Sequence, residues 1–350
     1  MIFILGFGEQ GRAIAHYVEH KTDEKIIALD KNHKDTKYEF YQVANLSEAL
    51  AQILLKGRQD ESTLIYNCLP VSLILEATKW GVGNGFNIVD LAGDVKVEKE
   101  QMKLSTTAKK TNSVVIRAGL APGIVSSFAS YFNNKFGAIG VRAFCGGIPK
   151  YPEHPFGYIR VFYEGGVIKE YTGVAEVIEN GRLIKKPTLS EREYLHIPSL
   201  GILEADLTSG GISTTYNEIE LDYFEYKTLR YPGHFQYVKD NILNQPDPTS
   251  VLSNIIEPVS ADNPDIIILH LEFETFDGIS CYDYFWEYDY ENNISAMAQA
   301  TGYIAGEVGL RSRNMDPGIY NMDSFDPYSI RKSVREIRQE GNFSKLPIIF

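Results

Sequence analysis

Short apolar runs recur through the first third of the chain, at Ile2–Leu5, Ile26–Leu29, Leu64–Cys68, Asn87–Leu91 and Val114–Ile116. Between them, Gly11–His20, Leu46–Leu55 and Val71–Gly81 place apolar residues at helical spacing. Strand-like runs alternating with helices imply parallel strands joined by right-handed crossovers, so the pattern predicts a doubly wound α/β domain over residues 1–121. A helix is expected to begin near Pro122, a proline suited to the first helical position. Beyond it the pattern changes. Aromatic and β-branched runs at Val141–Phe144, Tyr158–Tyr163, Ala175–Ile178, Ile219–Tyr226, Ile266–Phe273 and Cys281–Tyr288, with a hairpin signal at Asn180-Gly181, predict a mostly antiparallel sheet in an α+β domain over 122–293. The last part, 294–350, contains a small-residue stretch, Ile294–Leu310, able to approach another backbone closely and expected to pack back on the first domain. The tail Asp326–Gly341 reads as a charged, exposed helix with a glycine stop.

The first turn carries the most informative chemistry. Gly6, Gly8 and Gly11 follow the first strand-like run and open the first helix. In G-x-G-x-x-G the first glycine permits the turn, the second admits a pyrophosphate against backbone, and the third lets helix and strand pack. Asp30 ends the second run, about 20 residues on, where a carboxylate accepts from the ribose hydroxyls. These residues predict a Rossmann-type dinucleotide domain, with Gly6, Phe7, Gly8, Glu9, Gln10, Gly11 and Asp30 on the cofactor. Cys68, Leu69 and Pro70, after the third run, are expected to wall the crevice; Asp90 and Leu91 end the next run at the same sheet edge. A carboxylate at 30 repels a 2′-phosphate and favours NAD, while Lys31, His33 and Lys34 leave NADP open.

Composition narrows the partners. The chain has 350 residues, enough for two domains, and a formal charge of −12, which argues against nucleic acid or an anionic membrane. Cys68, Cys145 and Cys281 are three in number and lack C-x-x-C spacing, which suggests neither a disulfide framework nor a zinc site, and a reducing cytoplasm fits best. His16 and His20 have i, i+4 spacing, but sequence offers no third ligand, and no metal is expected. A small-molecule substrate and a homo-oligomer, with a dimer favoured, complete the expectations.

Four further stretches run the length of the chain: Asn87–Asp94, Gly119-Leu120-Ala121-Pro122-Gly123, Lys227–His234 (K-T-L-R-Y-P-G-H) and Met297–Gly302. In order and spacing they resemble motifs of the saccharopine dehydrogenase family. Within it the G-L-A-P-G and T-L-R-Y-P-G-H forms, with Glu164–Leu183, look most like the lysine 6-dehydrogenase branch. Saccharopine reductases typically carry an acid where Ala121 stands, and Arg117 departs from the small or acidic residue expected there. The resemblance implies hydride transfer between NAD(P) and the C–N bond of an amino-acid-type amine.

Such a reaction needs a neutral amine, an open hydride path and a proton acceptor. Arg230 is suited to a substrate carboxylate, which a guanidinium fork matches bidentately, although a structural salt bridge would also use it. Tyr231 could donate to the same group, or pack. Gly119 and Leu120 complete the substrate-binding set. His234, expected at a helix start, could accept a proton as a neutral imidazole or serve as a turn histidine. Asp94 is the second candidate base or an anchor for a cationic amine, with Asp90 beside it able to cap a loop. Cys145-Gly146-Gly147 resembles a glycine-rich turn of that family near the substrate, though a bulge at a strand end explains the glycines equally well. The motifs from both halves are expected to border one cleft. The leading function is NAD-dependent oxidative deamination of lysine at its side-chain amine; the alternatives are a reductase of saccharopine or carboxynorspermidine type and a nucleotide-sensing protein without catalysis.

Overall fold

The first strands leave little surface to water, and that burial sets the architecture. The computed structural model describes residues 1–57, 63–91, 93–108, 112–198, 200–212 and 219–337, which form two compact units: one from 1–128 and 298–337, the other from 129–212 and 219–297. The first unit opens with β1 (Ile2–Leu5), α1 (Glu9–Glu19), β2 (Ile26–Asp30), β3 (Glu39–Gln42) and α2 (Leu46–Lys56). It continues through β4 (Leu64–Asn67), α3 (Val71–Gly83), β5 (Asn87–Asp90), α4 (Val95–Met102), α5 (Ser105–Ala108) and β6 (Ser113–Val115). The chain changes unit within α6 (Val125–Phe136).

The second unit contains β7 (Gly140–Pro149), α7 (Glu164–Tyr171), the hairpin β8 (Val174–Glu179) and β9 (Arg182–Pro187), β10 (Glu193–Ile197) and β11 (Gly201–Leu207). It ends with β12 (Tyr223–Arg230), α8 (His234–Val238), α9 (Pro248–Ile255), β13 (Asp265–Thr275) and β14 (Gly278–Glu287). The chain then returns to the first unit in α10 (Ala296–Ser312), which is followed by β15 (Gly318–Tyr320) and α11 (Pro327–Ile337).

The first unit is a Rossmann-type sheet in the order β15-β6-β5-β4-β1-β2-β3, with every adjacent pair parallel. The order reverses between β1 and β4, which places the turn after β1 at the switch point where open α/β sheets take ligands. Two strands are not legible as apolar runs. β3 (Glu-Phe-Tyr-Gln) lies at the sheet edge and stays half-exposed, while β15 comes from the far end of the chain. The small residues of α10 do pack against the first helix of this unit, since a Cβ on Gly302 would crowd Ala13 and one on Gly306 would crowd Tyr17. The tail helix is observed over Pro327–Ile337; its expected continuation to Gly341 and Ala92 of the Asn87–Asp94 stretch lie outside the described residues.

In the second unit the sheet runs β10-β11-β12-β7-β13-β14, with β8 also pairing with β12; β12 and β7 are parallel and the other pairs antiparallel. The Asn180-Gly181 turn closes β8 onto β9 with both residues at positive φ, the geometry of a two-residue hairpin loop. Two expectations are corrected here. Tyr158–Tyr163 is not a strand: Tyr158, Ile159 and Val161 wedge among Val167, Tyr171, Phe235 and Leu252, and pairing is limited to an isolated bridge from Arg160 to Pro258. Cys145-Gly146-Gly147 is neither turn nor bulge but the middle of β7, where a Cβ on Gly146 would lie 2.8 Å from that of Leu229.

Pro122 does not start a helix. It is extended (φ −69°, ψ 150°), and Gly123 has φ 147°, so α-helical geometry begins only at Val125. Beside this segment, Arg117 explains its own departure from the family pattern: the side chain is buried and its guanidinium pairs with the buried carboxylate of Glu98 on α4. Among the described residues no helix is long and apolar enough to cross a membrane.

Removing one member of a buried ion pair strands the other charge. Arg117→Met should therefore lower unfolding stability by about 3–5 kcal/mol in urea titrations, and adding Glu98→Met should recover much of the loss. Equal or greater loss in the double variant would mean that the pair is not the stabilising unit.

Candidate active site

The nucleotide side is built mainly from backbone. Gly6 sits at φ 92°, a conformation that L side chains rarely adopt, and a Cβ there would lie 2.7 Å from the Cys68 carbonyl oxygen. At Gly11 a Cβ would collide with the Gly6 carbonyl, whereas at Gly8 it would meet nothing within 4 Å. The three glycines thus divide the work: turn, open space, and helix–strand contact. Gly8 is the N-cap of α1 without a side-chain cap bond, leaving the start of that helix suited to an anion. Asp30 fixes the turn from below, accepting the Phe7 N–H at 2.7 Å and the Asn32 N–H at 2.9 Å. Each carboxylate oxygen keeps further acceptor capacity for a ribose hydroxyl. The Phe7 side chain packs edge-on against Tyr38 and Phe40, and Gln10 has a buried Oε1 with no hydrogen-bond partner among the described residues. A dinucleotide fits this turn by its open space at Gly8, its uncapped helix and its acid at 30.

Cys68 and the start of Leu69 come against Gly6, and Pro70 forms the N-cap of α3. Burial, with Asp90 nearby, raises the Cys68 thiol well above its usual range, so it stays protonated. Asp90 is fully buried; its Oδ2 accepts from Gln101 Nε2 at 2.5 Å and its backbone carbonyl from the Ala118 N–H at 2.8 Å. Leu91 follows at the strand end, partly exposed. Asp94, not Asp90, is the cap: its Oδ1 accepts the Lys96 and Val97 N–H groups at the start of α4. Gly119 accepts the Ile124 N–H, and Leu120 is buried. Glu9 begins α1, and His16 and His20 on that helix share their surroundings with Glu19, the third potential ligand absent from the i, i+4 pattern.

The second unit holds a different kind of site. Arg230 ends β12 and is only 2 % exposed. Its Nε donates to the Tyr171 hydroxyl at 2.7 Å and its Nη1 to the Leu229 carbonyl at 2.8 Å. The guanidinium lies 4.6 Å from the centre of the Tyr158 ring and 5.7 Å from that of Tyr171, favourable cation–π positions. Its Nη2 stands 3.8 Å from Glu170 Oε2, an ion pair too long for a hydrogen bond. That oxygen is buried without a hydrogen-bond partner among the described residues, and so is the Tyr158 hydroxyl. Burial lifts the Glu170 carboxyl to about 7, against the downward pull of Arg230.

His234 is fully buried behind this group. The Phe156 carbonyl can only accept, so Nδ1 carries the proton and donates to it at 2.7 Å; Nε2 then accepts from Tyr171 Oη at 3.0 Å. A single donor direction runs from Arg230 through Tyr171 to His234 and Phe156. Burial first, and Arg230 second, hold the imidazole down at about 3, so it is neutral. Glu204 occupies the helix start, accepting the Gly233 N–H at 3.1 Å and the Phe235 N–H at 2.7 Å. Tyr231 is not brought to Arg230. Adjacent strand-end residues face opposite sides, and its hydroxyl donates to the Pro149 carbonyl at 3.0 Å inside the Phe144–Leu229 core. Glu170, Tyr171 and Tyr158 escape a reading of local motifs, because Tyr171 and Arg230 are 59 residues apart. The signal for the first two lay in the Glu164–Leu183 stretch.

Two outcomes follow from this geometry. Gly8→Val should abolish dinucleotide binding in calorimetry while leaving the melting temperature near that of the parent, since the side chain fills only the open space; retained affinity would contradict the pyrophosphate assignment. For His234, a folded-state value of about 3 lies below the ordinary 6.5, so its stabilising contribution is complete above 6.5 and is lost as pH falls toward 3. Between pH 7 and pH 5 the parent should lose about 2 kcal/mol more unfolding stability than His234→Asn, which cannot titrate. Parallel pH profiles would contradict the neutral, enclosed imidazole.

Comparison with known proteins places this architecture. The sequence model of the Saccharopine dehydrogenase C-terminal domain matches residues 119–342, more than half of the chain. Among solved structures, saccharopine dehydrogenase (L-Glu forming) from Saccharomyces cerevisiae superposes with a TM-score of 0.68 at 14 % identity, covering 96 % of each chain. The homospermidine synthase of Legionella pneumophila, solved in complex with NAD, gives a TM-score of 0.70 at 13 % identity, covering 95 % of this chain and 88 % of that one. At such identities the two structures show a shared fold, and the sequence match carries the assignment: this chain belongs to the saccharopine dehydrogenase family.

Proposed function

We propose that the protein is a nicotinamide-dependent oxidoreductase acting on the CH–NH group of an amino acid, and that its reaction is the NAD-dependent oxidation of lysine at the side-chain amine. The observation that carries this reading is Arg230, a buried guanidinium held by Tyr171 and the Leu229 carbonyl, with its Nη2 making no hydrogen bond among the described residues. A fork of this kind suits a carboxylate and fixes the rest of the substrate relative to it. When bound, the cofactor supplies the hydride acceptor. Asp30, already committed as an acceptor at the end of β2, supports NAD because a 2′-phosphate would meet its charge.

His234 positions rather than exchanges protons in this reading: both ring nitrogens are engaged and the ring is neutral far below working pH. It locks the Tyr171 hydroxyl, which in turn orients Arg230. Asp94 stays the proposed proton acceptor. An imine formed at the side chain then meets water and releases ammonia, with no metal needed.

The test is NADH absorbance with lysine, ornithine, diaminopimelate, saccharopine and polyamines. Lysine should be turned over, and Arg230→Lys should raise KM for lysine strongly with a smaller fall in kcat, since the charge remains and the fork is lost. Turnover of saccharopine alone would favour the reductase-type reaction. NAD binding without turnover of any amine would favour nucleotide sensing.

A further inference from the structure

The Glu170 carboxylate has no place in the reading above, yet it is the most unusual acid in the second unit. Oε2 is sealed from water, accepts no hydrogen bond among the described residues, and stops 3.8 Å short of Arg230. A folded protein rarely leaves a buried carboxylate oxygen unmet, because the missing bond costs more than an exposed one returns. Beside it, the Tyr158 hydroxyl is also buried and unmet. The neighbouring cation is already shared among Tyr171, the Leu229 carbonyl and two aromatic rings. Glu170 is therefore a carboxylate with an unfilled acceptor oxygen, in a setting where burial raises its carboxyl to about 7 even against the pull of Arg230. Its side chain as a whole is 26 % exposed, so the residue borders solvent even though Oε2 does not.

We propose that Glu170 receives the α-ammonium of the substrate, so that Arg230 and Glu170 together grip the zwitterionic head of an α-amino acid. An ammonium and a carboxylate on one carbon present opposite charges side by side, as Glu170 and Arg230 do in mirror order. The pair is overall neutral and so is the head it receives. The ammonium donates to Glu170 Oε2, and the substrate carboxylate accepts from Arg230 Nη2, with the Tyr158 hydroxyl able to donate to the same carboxylate. No covalent step is involved. The inference deepens the proposed function: a head held at both charges leaves the distal amine as the one to be oxidised, and the substrate class narrows to free α-amino acids with an amine at the far end.

The test compares lysine with 6-aminohexanoate, which lacks the α-ammonium, and with 1,5-diaminopentane, which keeps that amine but lacks the carboxylate. Binding to the NAD-loaded protein is read by calorimetry, and turnover by NADH. The parent should prefer lysine to 6-aminohexanoate, and Glu170→Gln should erase that preference by weakening lysine about 10- to 100-fold, the range of a hydrogen bond between charged groups. Its affinity for 6-aminohexanoate should not change, and Glu170→Asp should restore part of the preference. Because 6-aminohexanoate binding also reports an intact site, a misfolded variant is recognised at once. Equal weakening of both ligands, a fall in kcat without a change in lysine affinity, or a parent that binds 6-aminohexanoate as tightly as lysine would overturn the proposal. Should lysine fail to bind while other α-amino acids do, the lysine reading fails and the same comparison, run on those acids and their desamino counterparts, decides Glu170.

Discussion

A guanidinium removed from water must have its charge answered, and in this protein Arg230 imposes that requirement on everything around it. Two ring faces, one hydroxyl and one carbonyl meet it at hydrogen-bond or cation–π distance, while the carboxylate opposite is held back at 3.8 Å. The hydroxyl among those partners is itself fixed from further out. Tyr171 is oriented by His234, His234 by the Phe156 carbonyl, and the helix that begins at His234 by Glu204. Disturbing any of these would loosen a buried charge, so the cluster holds one geometry.

The two units build their candidate sites by different means. In the first, the Gly6–Gly11 turn works through backbone: a left-handed residue, an open space and an uncapped helix, with the Asp30 side chain bonding the turn at Phe7. Such a site suits a cofactor whose pyrophosphate is the same in every reaction. In the second unit the Arg230 cluster is built from side chains drawn from α7, the segment after β7, and the end of β12. Side chains would suit the proposed substrate, with its one particular charge pattern. Arg117, the departure from the family pattern, belongs to neither site: its charge is spent on Glu98.

This division also explains what could be read in the sequence. The glycine spacing and Asp30 report a backbone conformation made by neighbours in the chain, so strand, turn and helix are legible there nearly to the residue. Likewise the Asn180-Gly181 turn declares its hairpin, because both residues must take positive φ. Tyr158–Tyr163 misleads, since a β-branched and aromatic run looks the same whether it pairs in a sheet or wedges among helices. Pro122 misleads in a similar way, as its fixed φ serves an extended turn as readily as a helix start. Arg230 and His234 could be picked out one at a time, but their relation could not. Tyr171 stands between them in space and 59 residues from Arg230 in sequence, and Tyr231, adjacent to Arg230 in sequence, points to the opposite face. The cap falls to Asp94 and not to Asp90, because only the helix that follows decides which of them caps.

The most direct test of the account is a crystal structure of the protein with NAD and lysine. The account predicts lysine's carboxylate on Arg230 Nη2, its α-ammonium on Glu170 Oε2, and the Arg230–Tyr171–His234 chain unchanged. Lysine bound elsewhere, with Arg230 still facing an empty Glu170, would contradict it.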